Sequence, residues 1–235
     1  MPERTSNRIY LLAGLLFASS AAALMIDMPV ARLAANQGMP GDLRKLFSVS
    51  EVFAHGMGVA LILIAVLVLD PSARRRLPRV IGCAYGAGLA AQLAKNLFPR
   101  VRPNVCDLSS TAWQTFFAGG GDRYAQLQQL TGRDIHSYPS GHSATAVGLA
   151  FGLAWLYPRG RWLFAAYALL AVMQRIESGA HFSSDTLAGA AIACLVAGAC
   201  FDQRGLQRLF ERWERPTPSD AARVDETERE NRQAA

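Results

Sequence analysis

The sequence predicts an all-α integral membrane protein, a bundle of six transmembrane helices. Three observations carry that prediction. Hydrophobic residues make up 51% of the 235 residues and charged residues only 18%, where about 25% is usual in a soluble domain. The charges are unevenly placed, with long stretches carrying none and the segment from Pro216 onward rich in them. Apolar runs approaching the roughly 20 residues that cross a bilayer recur along the chain. Together these exclude a disordered chain, a collagen and a disulfide scaffold, and weigh against an ordinary cytosolic enzyme.

The first run is Ile9–Ile26, the second Val52–Leu69, interrupted only by His55, and the third Val80–Phe98, apolar until Lys95. The fourth is Pro139–Tyr157, the fifth Trp162–Ile176 and the sixth Phe182–Phe201. The first run follows Arg4 and Arg8 and contains small residues from Ala18 to Ala23, as a cleaved signal peptide would. Its apolar stretch exceeds the usual 7–15 residues of such a peptide, so a retained helix is expected. Small residues at helical spacing, such as Gly82 and Gly86, Gly148 and Gly152, or Gly189 and Ala193, suit close helix packing in lipid. Of the four cysteines, Cys83, Cys194 and Cys200 lie in apolar runs and Cys106 in a polar loop, without metal or disulfide spacing.

Charge sets the orientation. Twelve Arg and Lys residues fall at span ends on the side of both termini and nine on the other, where several are candidates for chemistry. The positive-inside rule then places both termini in the cytoplasm and turns the loops 27–51, 99–138 and 177–181 outward. The expected location is a bacterial inner membrane, with the outward loops carrying the candidate site. Only Lys45 and Lys95 of the 24 cations are lysine and most arginines end apolar runs, so the +6 net charge points to a bilayer and not to nucleic acid. The expected divisions are a six-span domain over 1–201, an amphipathic interfacial helix over 202–215 with Leu206, Leu209, Phe210 and Trp213 on one face, and a disordered polar tail over 216–235.

Ionisable groups at membrane depth are costly and functional by default. Here they converge. The third helix runs outward to Lys95, with Arg102 just beyond; the fourth runs inward from Ser140-Gly141-His142; the fifth ends outward at Arg175; the sixth begins near His181 and Asp185. Lys95, Arg102 and Arg175 offer charge and donors to a phosphate. Gly141 leaves a backbone N–H open at a helix N-terminus, which favours anions. His181 and Asp185 are four apart, so the carboxylate can hold one ring nitrogen and leave the other to attack. His142 could protonate a leaving oxygen. Each has a plainer alternative: cations at span ends are often interfacial anchors, His–Asp at this spacing is often a packing pair, and Ser-Gly is often a cap. None of those predicts clustering at one face. His136 is read as a loop or rim residue, and His55 could line the same cavity.

These residues also form a motif set. Lys95-Asn96-Leu97-Phe98-Pro99-Arg100-Val101-Arg102-Pro103 resembles the K-(x)6-R-P first motif of the type 2 phosphatidic acid phosphatase superfamily, and Pro139-Ser140-Gly141-His142 matches its second. The stretch Gln174 to Asp185 resembles the third, S-R-(x)5-H-(x)3-D, with Gln174 where the family has Ser. The resemblance implies an all-helical fold and metal-independent, cofactor-free hydrolysis of a phosphomonoester or diphosphate. It implies that His181 attacks phosphorus and forms a phosphohistidine, that Asp185 orients it, and that His142 protonates the leaving group and then activates water. Lys95, Arg102, Ser140, Gly141 and Arg175 would hold the phosphoryl oxygens, and the Gln174 departure would alter phosphate contact. An outward site at the membrane surface suits a lipid substrate: undecaprenyl diphosphate, phosphatidylglycerol phosphate, phosphatidic acid or the phosphates of lipid A. In the 99–138 loop, Trp113, Phe116 and Phe117 could sit at head-group level and Gly119-Gly120-Gly121 could hinge a lid. A lipid phosphotransferase is the alternative reading. Vanadate-dependent haloperoxidases share the motifs but their soluble members lack the spans, and a transporter should hold its polar groups near the midplane.

Overall fold

The computed structural model describes residues 3–36, 40–116 and 136–215. Among them the chain is helical with no strand, and nine α-helices follow in order. They are α1 (Glu3–Ala23), α2 (Asp27–Asn36), α3 (Gly41–Ser50), α4 (Gly56–Leu69), α5 (Leu77–Lys95), α6 (Gly141–Leu156), α7 (Arg161–Glu177), α8 (Ser183–Phe201) and α9 (Gln207–Glu214). The Phe117 and Gly119–Gly121 expectations and the tail over 216–235 lie outside the described residues.

Helix α6 sits at the centre because its small residues let neighbours close in. A Cβ on Gly148 would come within 2.1 Å of the Cys83 carbonyl oxygen on α5, and one on Gly152 within 2.8 Å of Val80. On α8, a Cβ on Gly189 would meet the Ser140 carbonyl oxygen at 2.3 Å. Larger side chains at these points would push α5 and α8 off α6. One apolar core, including Val59, Leu77, Val80, Leu149 and Leu153, joins α4, α5 and α6; a second, including Ile9, Cys83, Cys194, Phe201 and Phe210, joins α1, α5, α8 and α9.

Among the described residues one helix, Ser183–Phe201, is by itself long and apolar enough to cross a membrane. Two bent pairs qualify as units: Ser6–Ala23 with Asp27–Asn36, bent by 72°, and Gly41–Phe53 with Gly56–Leu69, bent by 70°. The loop expected between the first two runs therefore carries two helices of its own. The run Val52–Leu69 is not one helix either. A 3-10 turn over Glu51–Phe53 and an extended His55 (ψ 134°) precede α4. Helices α6 and α7 are 16 and 17 residues long, about 24–26 Å of rise, and α5 carries Arg79 near one end and Lys95 at the other.

At the end of the bundle away from Lys95, α9 folds back. Arg79 is buried and its guanidinium meets both Glu214 carboxylate oxygens at 2.7 and 2.8 Å. It also lies 4.8 Å from the Trp155 ring centroid and 5.5 Å from that of Phe210. Phe210 is thus buried in protein, while Leu206, Leu209 and Trp213 remain exposed.

Candidate active site

The site is assembled where α5, α6 and α7 end or begin and where α8 starts. Ser140 caps α6: its Oγ accepts from the Ser143 N–H at 3.2 Å, which fixes where the helix begins. Its own N–H donates to the Asp185 carbonyl at 3.0 Å, tying α6 to α8. A Cβ on Gly141 would meet nothing within 4 Å, so the space in front of this helix N-terminus is open. The turn from α7 to α8 places His181, whose N–H donates to the Arg175 carbonyl at 3.1 Å. Gly179 adopts φ 65° there, a left-handed conformation that glycine takes without strain, and its carbonyl accepts from Asn104 at 3.1 Å.

His181 is 1% exposed and Asp185 0%. His181 Nδ1 stands 3.7 Å from Asp185 Oδ2, too far for a direct hydrogen bond. Ser137 closes the gap: its hydroxyl donates to Asp185 Oδ2 while its Oγ lies 3.5 Å from His181 Nδ1. With Nδ1–H directed at that oxygen, Nε2 keeps its lone pair. Burial pushes the His181 imidazole below its ordinary value of 6.5; Asp185 opposes this, and Arg102 and Lys95 reinforce it. The ring is therefore held neutral, the form a nucleophile needs.

Asp185 is itself anchored. Its Oδ2 also accepts from the Phe182 N–H at 2.8 Å and its Oδ1 from Arg100 at 2.5 Å. Arg100, fully buried, donates in addition to Asp27 at 2.7 Å, Ser184 at 2.7 Å and Thr115 at 2.9 Å. Its guanidinium lies between the Phe116 and Phe182 rings, 4.5 and 4.0 Å from their centroids. Phe116, expected at head-group level, packs on this cation instead, while Trp113 is exposed.

The expected cations gather around the same point. Lys95 and Arg102 both donate to the His136 carbonyl, at 3.2 and 3.4 Å. Arg175 is buried; its Nε donates to Gln174 Oε1 at 2.5 Å, so the glutamine that departs from the third motif holds this guanidinium. Its Nη2 meets Glu51 at 2.7 Å. A cleft of about 590 Å³ opens on the cluster, lined by Lys95, Arg102, Gly141 and His142 and, farther along, by His55 and Tyr85. Lys95 and Tyr85 are ten residues apart on α5, so the cleft runs about 15 Å along that helix. His142 is one-third exposed in it, with its ring 6.1 Å from that of His55. His181 and Arg175 are buried deeper and do not line it.

All eight residues expected at the site thus come together at one end of the bundle. Sequence reasoning missed Arg100, Asp27, Ser137, Ser184 and Glu51. Arg100 falls in the spacer of the first motif, Asp27 at the edge of what reads as a loop, and Glu51 just before an apolar run.

The sequence model of the PAP2 superfamily matches residues 77–208, more than half of the chain. The chain belongs to the PAP2 superfamily. Two curated relatives are lipid A 1-phosphatases. That of Rhizobium etli is 35% identical over 105 residues, 45% of this chain and 40% of the relative. That of Rhizobium johnstonii is 32% identical over 123 residues, 51% of this chain and 46% of the relative. This PAP2 chain therefore matches less than half the length of either. In fold it is similar to the transmembrane PAP2 type phosphatidylglycerolphosphate phosphatase from Bacillus subtilis, with a TM-score of 0.56 at 17% identity, over 82% of this PAP2 chain and 92% of the other.

Proposed function

We propose that this PAP2 protein is a membrane lipid phosphatase that hydrolyses a lipid phosphate or isoprenoid diphosphate through a phosphohistidine. The observation that carries the reading is the buried His181–Ser137–Asp185 cluster beside a cleft walled by Lys95, Arg102, Gly141 and His142. His181 Nε2 attacks phosphorus and the bond to the leaving oxygen breaks. His142 gives that oxygen its proton, worth about 10²–10⁴-fold in rate. Water then attacks the phosphohistidine, His142 takes the water's proton, and phosphate leaves. Lys95, Arg102, Arg175, the Ser140 hydroxyl and the open N-terminus at Gly141 stabilise charge on the transferring oxygens, the largest contribution in such a reaction. No step calls on a metal.

Six helices, α1 and α4 to α8, cross the bilayer in this reading. Large apolar side chains stand exposed along them, among them Leu15, Val68, Leu89, Leu93, Leu169 and Leu195. Such a surface is stable when acyl chains cover it. The proposed site faces outward in a bacterial inner membrane with both termini inside. The relatives favour lipid A carrying a 1-phosphate as substrate.

The test is phosphate release by purified protein in detergent, from lipid A, phosphatidylglycerol phosphate, phosphatidic acid and undecaprenyl diphosphate, with and without acceptor alcohols. Activity that survives EDTA and is inhibited by vanadate is expected. Phosphorylated acceptor in place of free phosphate would make the protein a phosphotransferase. Chelator-abolished turnover restored by Mg²⁺ would sink the mechanism. A cysteine at position 104 should label from outside and one at 74 only from inside; the reverse overturns the orientation.

A further inference from the structure

Glu51, a carboxylate next to the cleft residue His142, is left unused by the mechanism above. It stands at the head of the 3-10 turn between α3 and α4, with Oε1 2.7 Å from Arg175 Nη2 and 4.0 Å from His142 Nε2. Its side chain is 35% exposed, and the His142 ring 4.0 Å away lines the cleft. The turn is firmly built. Phe53 and Ala54 are buried in the core, the Phe53 ring lies 5.7 Å from that of Tyr167, and α4 approaches so closely that a Cβ on Gly58 would meet the Val52 carbonyl oxygen at 2.1 Å. Helix α3, which leads into it, is tied to α7 by Arg44 and Glu177 at 3.2 Å. Glu51 is thus held on the Arg175 guanidinium by the fold.

We infer that Glu51 is a specificity-determining residue that reads the leaving group and selects monoesters of neutral alcohols against diphosphates. The inference rests on the proposed function, in which His142 protonates the leaving oxygen. The group attached to that oxygen must then lie close to His142, and Glu51 is 4.0 Å from His142. A sugar or glycerol leaving group is neutral and carries hydroxyls that can donate to a carboxylate. When the terminal phosphoryl group of a lipid diphosphate is attacked, the leaving group is an alkyl phosphate. Its negative charge would face the Glu51 carboxylate, and like charges at such distances in a partly desolvated site repel strongly. Charge balance points the same way. Lys95, Arg102 and Arg175 bring three positive charges to the site, which Glu51 and a phosphomonoester dianion together offset. A diphosphate adds negative charge with no further cation to meet it in this group.

The test compares farnesyl phosphate with farnesyl diphosphate, which share one lipid chain, in detergent micelles. Wild-type protein should have the higher kcat/KM on the monophosphate. Glu51→Gln should raise the diphosphate-to-monophosphate ratio on the order of tenfold, while Glu51→Asp, which keeps the charge, should hold the wild-type ratio. A ratio unchanged in Glu51→Gln, or a wild type that prefers the diphosphate, overturns the inference and leaves the phosphatase reading intact. A wild type that cleaves neither these compounds nor the lipid panel overturns both. If Glu51→Gln loses turnover on both compounds, calorimetric titration with inorganic phosphate and pyrophosphate reads the same discrimination. Selective tightening of pyrophosphate supports the inference, and equal shifts for the two anions overturn it.

Discussion

Arg100 and Asp185, 85 residues apart in the chain, form a 2.5 Å ion pair in which neither side chain is exposed. A second buried carboxylate, Asp27, meets the same guanidinium at 2.7 Å. One cation therefore positions the carboxylate behind the candidate nucleophile and fastens α2 to the start of α8.

Replacing Arg100 with Met should leave Asp27 and Asp185 buried without their counterion. Breaking a buried pair by removing one partner costs about 3–5 kcal/mol. The variant should unfold at markedly lower temperature in detergent and lose activity. A melting curve matching the parent's would show that the pair does not hold these helices together.

Ser137→Ala removes the hydroxyl between His181 and Asp185. The ring should lose its fixed tautomer, and formation of the phosphoenzyme should slow about tenfold, the worth of one hydrogen bond of about 1.4 kcal/mol. KM should change little, because Ser137 is buried behind the cleft. An effect on KM alone, measured by steady-state kinetics, would place Ser137 in substrate binding instead.

The pH profile follows from the depressed His181. A histidine whose folded value is lowered stays neutral, and competent to attack, until pH falls through that value. The acid limb of kcat/KM should therefore lie below the ordinary imidazole value of 6.5. Lys95 contributes to the depression, so Lys95→Met should move the limb upward as well as weaken phosphate binding. A limb that stays in place in the variant would sever the connection between the two residues.

The two histidines should separate kinetically. His181→Ala should abolish phosphoenzyme and turnover on every substrate. His142→Ala should lose about 10²–10⁴-fold on lipid substrates, yet regain its first step with a nitrophenyl phosphate, whose leaving group needs no proton. Water would then lack a base, and labelled phosphohistidine should accumulate. Trapping phosphate on the His181 variant and never on the His142 variant would reverse the roles.

Gly189→Ala tests the contact that sets α6 against α8. Its methyl would meet the Ser140 carbonyl oxygen at 2.3 Å, so a helix must shift. Overpacking of this kind costs about 1–3 kcal/mol, and movement of Ser140 should raise KM. Gly141→Ala, whose added methyl would meet no atom of the protein, should keep its stability and lose only ligand affinity.

The helix ends were legible because chemistry there is written locally. Lys95, Ser140-Gly141-His142, Arg175 and His181 with Asp185 each break an apolar run, and alternating helix direction brings them to one face. What supports them is written across distance. Asp27, Ser137 and Ser184 look like ordinary loop or cap residues until the fold sets them around Arg100, and no spacing rule joins position 27 to position 185. A signal did exist for Arg100, since a cation that becomes fully buried needs carboxylates, yet its place in a motif spacer made it look like an outer-loop charge. Glu51 escaped because Val52–Leu69 reads as one continuous span, whereas Glu51–Phe53 forms a separate turn that directs the carboxylate inward.

The meeting of Asp27, Arg100 and Asp185 also sets an order of construction. A ribosome delivers position 27 early, position 100 well after it, and position 185 only when most of the sequence has already been made. Until α8 is threaded, His181 has no carboxylate behind it and Ser140 lacks the carbonyl that anchors its cap. A nascent chain is thus unable to perform the chemistry proposed above until its last long helix is in place.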